Sequence, residues 1–174
     1  MRLPELQTKL AEGGTFEYLP FYGKNNNWYL SQWYPCEFTS WLGKHTSAED
    51  AMMKGKAIAF SDYVTYELML KTDDPRKLKR LGREVKGFDQ KVWNKRKEQI
   101  VLLATLNKFR QNPDLKKQLL ATGNKVLVEA SPYDRIWGVG LAATHDDIEN
   151  PFRWKGQNLL GFLLMEARDS MRCP

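Results

Sequence analysis

The chain has 174 residues, 42% of them hydrophobic and 28% charged, which suits a soluble domain large enough to bury a core and leaves no need for a disulfide scaffold. Its net charge of +6 favours anionic partners, whether phosphorylated small molecules, nucleic acid or an acidic surface. Six tryptophans suggest stacking surfaces, and the two cysteines, Cys36 and Cys173, make neither a CxxC pair nor a framework, so they read as free thiols of a reducing compartment.

The opening Met-Arg-Leu-Pro-Glu-Leu lacks a signal-peptide core. The longest apolar runs, at 100–104 and 159–165, fall short of a bilayer span, so a cytoplasmic protein with no membrane partner is expected. Residues 1–15 read as a short helical appendage ended by Gly13-Gly14, with one domain from 16 to 174. From Phe16 to Phe38 an aromatic, turn-rich text around Asn25-Asn26-Asn27 predicts two short strands in a small antiparallel sheet. Its aromatics are core or pocket wall.

Thr46-Ser47-Ala48-Glu49 matches a capping box and starts a helix through Met53, Ala57 and Ile58. If Thr46 caps, Glu49 answers it; if Ser47 caps, Asp50 takes that duty and Glu49 can face a pocket. Lys54 and Lys56 cannot share a face, and Lys56, two turns beyond Glu49, is the better ligand candidate. Ser61 to Leu70 reads as a second helix, and Asp73-Asp74-Pro75 starts a third whose basic side (Arg76, Lys79, Arg80, Arg83) is either a solvated face or a polyanion contact. Asp89 caps the longest helix, to about Arg110, with Trp93 in its first turn between Lys91 and Lys95. Asn112-Pro113-Asp114 begins another, to Ala121.

Val126 to Val128 is strand-like and is cut by Ser131-Pro132 into a loop, Tyr133-Asp134-Arg135-Ile136-Trp137-Gly138. Either Asp134, Arg135 and the two aromatics form a binding or catalytic loop, or Tyr133 and Trp137 are core and Asp134 pairs with Arg135 across the turn. Gly138-Val-Gly-Leu-Ala-Ala143 fits GxGxxA superficially, but Thr144-His145-Asp146-Asp147 and Pro151 follow it, so no helix opens there for a dinucleotide. His145 has no second histidine at ligand spacing. Neither cofactor nor metal is expected. A last helix, Gln157 to Arg168, brings the amides of Gln157 and Asn158 to its N-terminus, where they could meet an anion or a ribose hydroxyl.

Tyr-Pro-Cys-Glu-Phe at 34–38, Ser-Ala-Glu-Asp-Ala-Met-Met at 47–53, Gly-Phe-Asp with Val-Trp at 87–93, Ser-Pro-Tyr-Asp-Arg-Ile-Trp-Gly at 131–138 and Trp-Lys-Gly-Gln-Asn-Leu-Leu-Gly at 154–161 together resemble the YbiA-like, or NADAR, family. The resemblance runs in order from about Phe21 onward. That family is associated with cleavage of N-glycosidic bonds, in a riboflavin-pathway intermediate or in ADP-ribose chemistry that includes ADP-ribosylated guanine. The resemblance implies a pocket built from Glu49, Trp93, Asp134 and Trp137, with Lys56, Arg135 and Asn158 as contacts and Ser131 and Tyr133 in the same loop motif. Gln32-Trp33 stands where relatives commonly carry Asn-Phe, and Glu49-Asp50 where they carry Glu-His.

The residues suit that chemistry. N-glycoside hydrolysis passes through an oxocarbenium-like sugar, so it needs a carboxylate near C1, for which Asp134 and Glu49 are the candidates, and a means of helping the base leave. Stacked tryptophans hold the base, at roughly 1 to 3 kcal/mol per base, while Lys and Arg serve phosphate. The expected partner is a phosphorylated ribosyl or ADP-ribosyl substrate, free or as ADP-ribosylated nucleic acid. The rival is a non-catalytic nucleotide- or nucleic-acid-binding module using the basic clusters at 76–83 and 91–97. The fold expected is helix-dominated α+β with small antiparallel strand pairs.

Overall fold

The computed structural model describes residues 1–172; Cys173 lies outside the described residues. Helices dominate, as the periodicity predicts. The chain folds as two compact units, one formed by Met1–Ser31 with the chain from Asp114 onward, the other by Gln32–Pro113.

In the first unit, β1 (Tyr18–Phe21) pairs in parallel with β4 (Val126–Glu129), Tyr18 opposite Val126 and Phe21 opposite Glu129. Val126, Leu127 and Val128 are all fully buried, the two-sided burial that parallel strands require. Helix α7 (Leu159–Ser170) packs on β4, with Leu160, Phe162, Leu163 and Leu164 all buried. At Gly161 any Cβ would run into the Leu127 carbonyl, so only glycine lets α7 come this close to the strand. The first helix, α1 (Leu3–Ala11), ends near Gly13 at φ +91°. It is docked within this unit by the fully buried Leu6 and by a bond from Gln7 Nε2 to the Pro151 carbonyl, 3.0 Å.

The antiparallel sheet expected between 16 and 38 is not formed. After β1 the Asn-rich segment turns into a single 3-10 turn at Trp28–Leu30, with Asn27 N–H held by the Asn25 side chain at 3.0 Å. The partner of β1 comes instead from more than a hundred residues later. One antiparallel pair does occur, in the second unit, between β2 (Phe38–Ser40) and β3 (Gly43–His45).

That second unit is built on α2 (Ala48–Ala59), whose buried residues run from Ala48 through Gly55, so it is covered on every side by α3 (Tyr63–Leu70), α4 (Pro75–Glu84), α5 (Gln90–Gln111) and β3. Small residues allow the close approaches: Gly55 lies against Ile100 of α5, and Gly82 of α4 against Met53. Ser47 caps α2, its Oγ accepting from Asp50 N–H at 3.2 Å, while the Asp50 carboxylate reaches back to Thr46 N–H. Asp62, Asp74 and Asp89 cap the next three helices through Thr65, Arg76 and Val92 amides, each worth about 1 kcal/mol. Helix α6 (Pro113–Ala121) leads on to β4. No helix of the described residues is long and apolar enough to cross a membrane.

Candidate functional site

The loop that follows β4 is fixed by its own carboxylate. Asp134 Oδ1 accepts from Ile136 N–H and Trp137 N–H, both at 2.8 Å, and Asp134 N–H donates to Ser131 Oγ at 3.2 Å. Among the described residues Oδ2 of Asp134 has no partner, so one oxygen builds the loop while the other is free to face water or substrate. The pairing of Asp134 with Arg135 across the turn does not occur. Tyr133, at 89% exposure, is no core residue either; Arg135 is exposed, and Asp134 and Trp137 are half-buried.

The backbone clamps this loop onto the start of α7. Gln157, Asn158, Leu159 and Leu160 donate their N–H groups to the carbonyls of Arg135, Gly138, Ile136 and Trp137 at 2.9 to 3.2 Å. The helix N-terminus is therefore occupied by loop carbonyls, which correct the expectation of an anion site there. Asn158 is corrected with it. Its side chain is fully buried, with Nδ2 donating to the Leu127 carbonyl and Oδ1 accepting from Glu129 N–H, both at 2.9 Å, and it sits at φ +53°. A short amide that tolerates the left-handed region can tie β4 to α7 in this way, so both ends of the Asn158 amide are engaged by the strand and the side chain is closed to solvent.

Glu129, at the end of β4, is not among the residues that the sequence singles out. Burial, and secondarily the negative charge of Asp134, push its carboxyl up to about 8, so it keeps its proton at neutral pH. Its backbone carbonyl, that of Asp134 and the Ser131 side chain converge on Gly138, where an added Cβ would lie 2.8, 3.0 and 3.1 Å from them. Glu129 reads in sequence as the polar end of an apolar strand. The available signal was an acidic residue at the point where that strand enters the loop.

The second unit gathers a different set. Lys56 is half-buried, its ammonium 4.4 Å from the Phe88 ring centroid and 5.8 Å from that of Trp93, and it donates to the Gly82 carbonyl at 2.6 Å. Desolvation lowers its pKa. Phe88 is 42% exposed and Trp93 is half-buried, so the lysine, Phe88 and Trp93 make a cationic aromatic wall with accessible faces. Glu49 lies two turns before Lys56 on α2 and is buried. Ser47 is the cap, and the Asp50 carboxylate accepts from Thr46 N–H. Lys54 turns the other way, buried against Asp50. The nine predicted site residues thus fall in two sets: Ser131, Tyr133, Asp134, Arg135, Trp137 and Asn158 in one unit, and Glu49, Lys56 and Trp93 in the other. His145 is exposed, and no cluster that could hold a metal is found among the described residues.

The NADAR domain family matches residues 20–172. An N-glycosidase of Acanthamoeba polyphaga mimivirus is 42% identical over 164 residues, 89% of this chain and 96% of that protein. The N-glycosidase YbiA of Escherichia coli is 34% identical over 116 residues, 67% of this chain and 66% of that one. A riboflavin biosynthesis protein of Vibrio vulnificus is 29% identical over 97% of this chain, which spans 41% of that protein. The NMR structure of Escherichia coli YbiA is similar at a TM-score of 0.74 and 27% identity, over 91% of this chain and 87% of that one. A match of that length, together with these relatives and this fold, shows that the chain belongs to the NADAR domain family.

Proposed function

We propose that this chain is an N-glycosidase that hydrolyses the bond between a base and a phosphorylated ribosyl or ADP-ribosyl group. The observation that carries the reading is the pair of carboxyls around the loop after β4: Glu129, raised to about 8 chiefly by burial and then by the charge of Asp134, and Asp134, with one oxygen free of the loop's own hydrogen bonds. Two carboxyl groups in unlike environments divide acid and base duties at neutral pH. The names of the mimivirus and Escherichia coli relatives support the reaction class.

The step balances with these groups. As the C1–N bond breaks, its electron pair goes to the base nitrogen, which takes the proton of Glu129. The positive charge that develops on the sugar is offset by the Asp134 carboxylate. Water then bonds to C1 and gives its proton to the ionised Glu129, which restores the starting state. Arg135, on the same loop, supplies charge for phosphate. In the other unit, Glu49 is the second candidate for a carboxylate at C1, with Trp93 and Phe88 as faces for a planar base and Lys56 as charge for phosphate.

The test is to incubate the protein with riboflavin-pathway intermediates, NAD, ADP-ribose and ADP-ribosylated nucleic acid, and to look for released base. Release that is lost in Asp134→Asn supports the reading. Tight binding of one of these compounds without release would favour the nucleotide-binding alternative. A loss of release in Glu49→Gln with the melting temperature unchanged would point to the reaction and not to the fold.

A further inference from the structure

The β2–β3 hairpin and the first turns of α2 hold a second set of reactive side chains that shares no residue with the proposed glycosidase. Phe38 is directly opposite His45 in the hairpin register, so Phe38, Ser40 and His45 lie on one face. The Phe38 ring, 5.0 Å from that of His45, holds the imidazole in place. Ser40 Oγ is 2.8 Å from His45 Nε2. On the other side of the ring, Nδ1 makes no hydrogen bond among the described residues and lies 3.4 Å from Asp50 Oδ2, close enough for a small shift on substrate binding to form one. His45 and Asp50 are both 1% exposed.

The charges around this row favour one tautomer. Lys54 Nζ is 3.0 Å from Asp50 and donates to the Lys44 carbonyl at 2.8 Å, so the Asp50 carboxyl is held in place beside the ring. A carboxylate beside Nδ1 favours the proton there and leaves the Nε2 lone pair for the serine hydroxyl. Leu42 N–H donates to Ser40 Oγ at 3.0 Å, which turns the hydroxyl proton toward the imidazole and offsets negative charge on the oxygen. Ser40 also lines a cavity of about 70 Å³ whose walls include Leu42, Ala51, Gly55, Ile100 and Asn107. Small residues of α2 open this space, and its lining is largely apolar apart from Ser40 and Asn107.

We propose that Ser40 is a nucleophile for short-chain esters, with His45 as its general base and Asp50 as the residue that orients the imidazole. Ser40 Oγ bonds to the ester carbonyl carbon and its proton passes to His45 Nε2. The bond to the leaving alcohol breaks and the alcohol takes that proton, leaving an acyl-Ser40. Water then repeats the sequence, the carboxylic acid departs and the serine is restored. The cavity limits the acyl group to a few carbons.

The experiment treats the full chain with a fluorophosphonate probe and maps the adduct by mass spectrometry, then follows p-nitrophenyl acetate, butyrate and decanoate hydrolysis. The proposal expects the adduct on Ser40, faster turnover of the short esters than of decanoate, and a fall on the order of 100-fold or more in Ser40→Ala and His45→Gln, with base release from N-glycosides unchanged in Ser40→Ala. The adduct is read on the unmutated protein and so does not depend on how a variant folds. No adduct at Ser40, or ester hydrolysis by Ser40→Ala equal to that of the unmutated chain, overturns the assignment.

Discussion

The loop at 131–138 and the wall made by Lys56, Phe88 and Trp93 are held in opposite ways. The loop is placed by main-chain hydrogen bonds, two to its own aspartate and four to the start of α7, so its carboxylate is fixed by backbone. The wall is placed by side chains standing on helices and on the Gly87-Phe88 link, through ring and ammonium contacts at 4.4 to 5.8 Å. Position by backbone suits a group that must meet a reacting atom to within a fraction of an ångström. Position by stacking suits recognition of a flat ligand, where small shifts cost little. The loop is therefore built to hold a reacting group and the wall to hold a flat one.

The largest effect is expected where the loop is pinned. At Gly156 a Cβ would collide with the Gly138 carbonyl and lie 2.7 Å from Arg135 Cα, both backbone atoms that cannot turn aside. Gly156→Ala should lower stability by about 1 to 3 kcal/mol and turnover by on the order of 100-fold, measured by melting and by base release. A variant with ordinary activity would mean that the loop need not be rigid. Next comes Asp134→Asn, which keeps an oxygen for the two loop amides and removes the charge. Turnover should fall about 100-fold or more with the melting temperature nearly unchanged, and an unfolded variant would make Asp134 a purely structural residue.

Trp93→Ala addresses the other side of the comparison. Loss of one stacking face, worth roughly 1 to 3 kcal/mol, should weaken binding of a flat, base-bearing ligand about tenfold, measured by ligand titration. A loss of stability near the 3 to 5 kcal/mol of a truncated core aromatic would place Trp93 in the core instead. A further effect is a slope. Glu129 is raised to about 8 by burial and by Asp134, so between the ordinary carboxyl range and pH 8 the folded chain holds a proton that the unfolded chain has released, and stability falls as pH rises through that window. Glu129→Gln removes this contribution, so its melting temperature should drop less than that of the unmutated protein between pH 5 and 8. Equal slopes would contradict the raised value.

Helices were legible because their ends carry short-range chemistry. Asp74-Pro75 and Asp89 are caps whose bonds close within three residues, and the α2 start at Ser47 was one of two alternatives that only the observed bond from Asp50 N–H separates. The β1 pairing was not legible, since its partner is remote in sequence and nothing in a four-residue strand names it. The loop after β4 stood out through its composition. What it does with its groups depends on tertiary contacts: Asn158 offers an amide in the sequence, but β4 takes both ends of it, and Glu129 becomes unusual only once burial and Asp134 act on it.

The most direct test of the central claim, that a protonated Glu129 donates to the leaving base, is the pH profile of base release from pH 5 to 10 for the unmutated chain and Glu129→Gln. The account predicts that kcat of the unmutated protein declines above about pH 8, where Glu129 loses its proton, and that Glu129→Gln is slower by about 100-fold or more with no such decline. A Glu129→Gln profile matching the unmutated one in height and shape would contradict it.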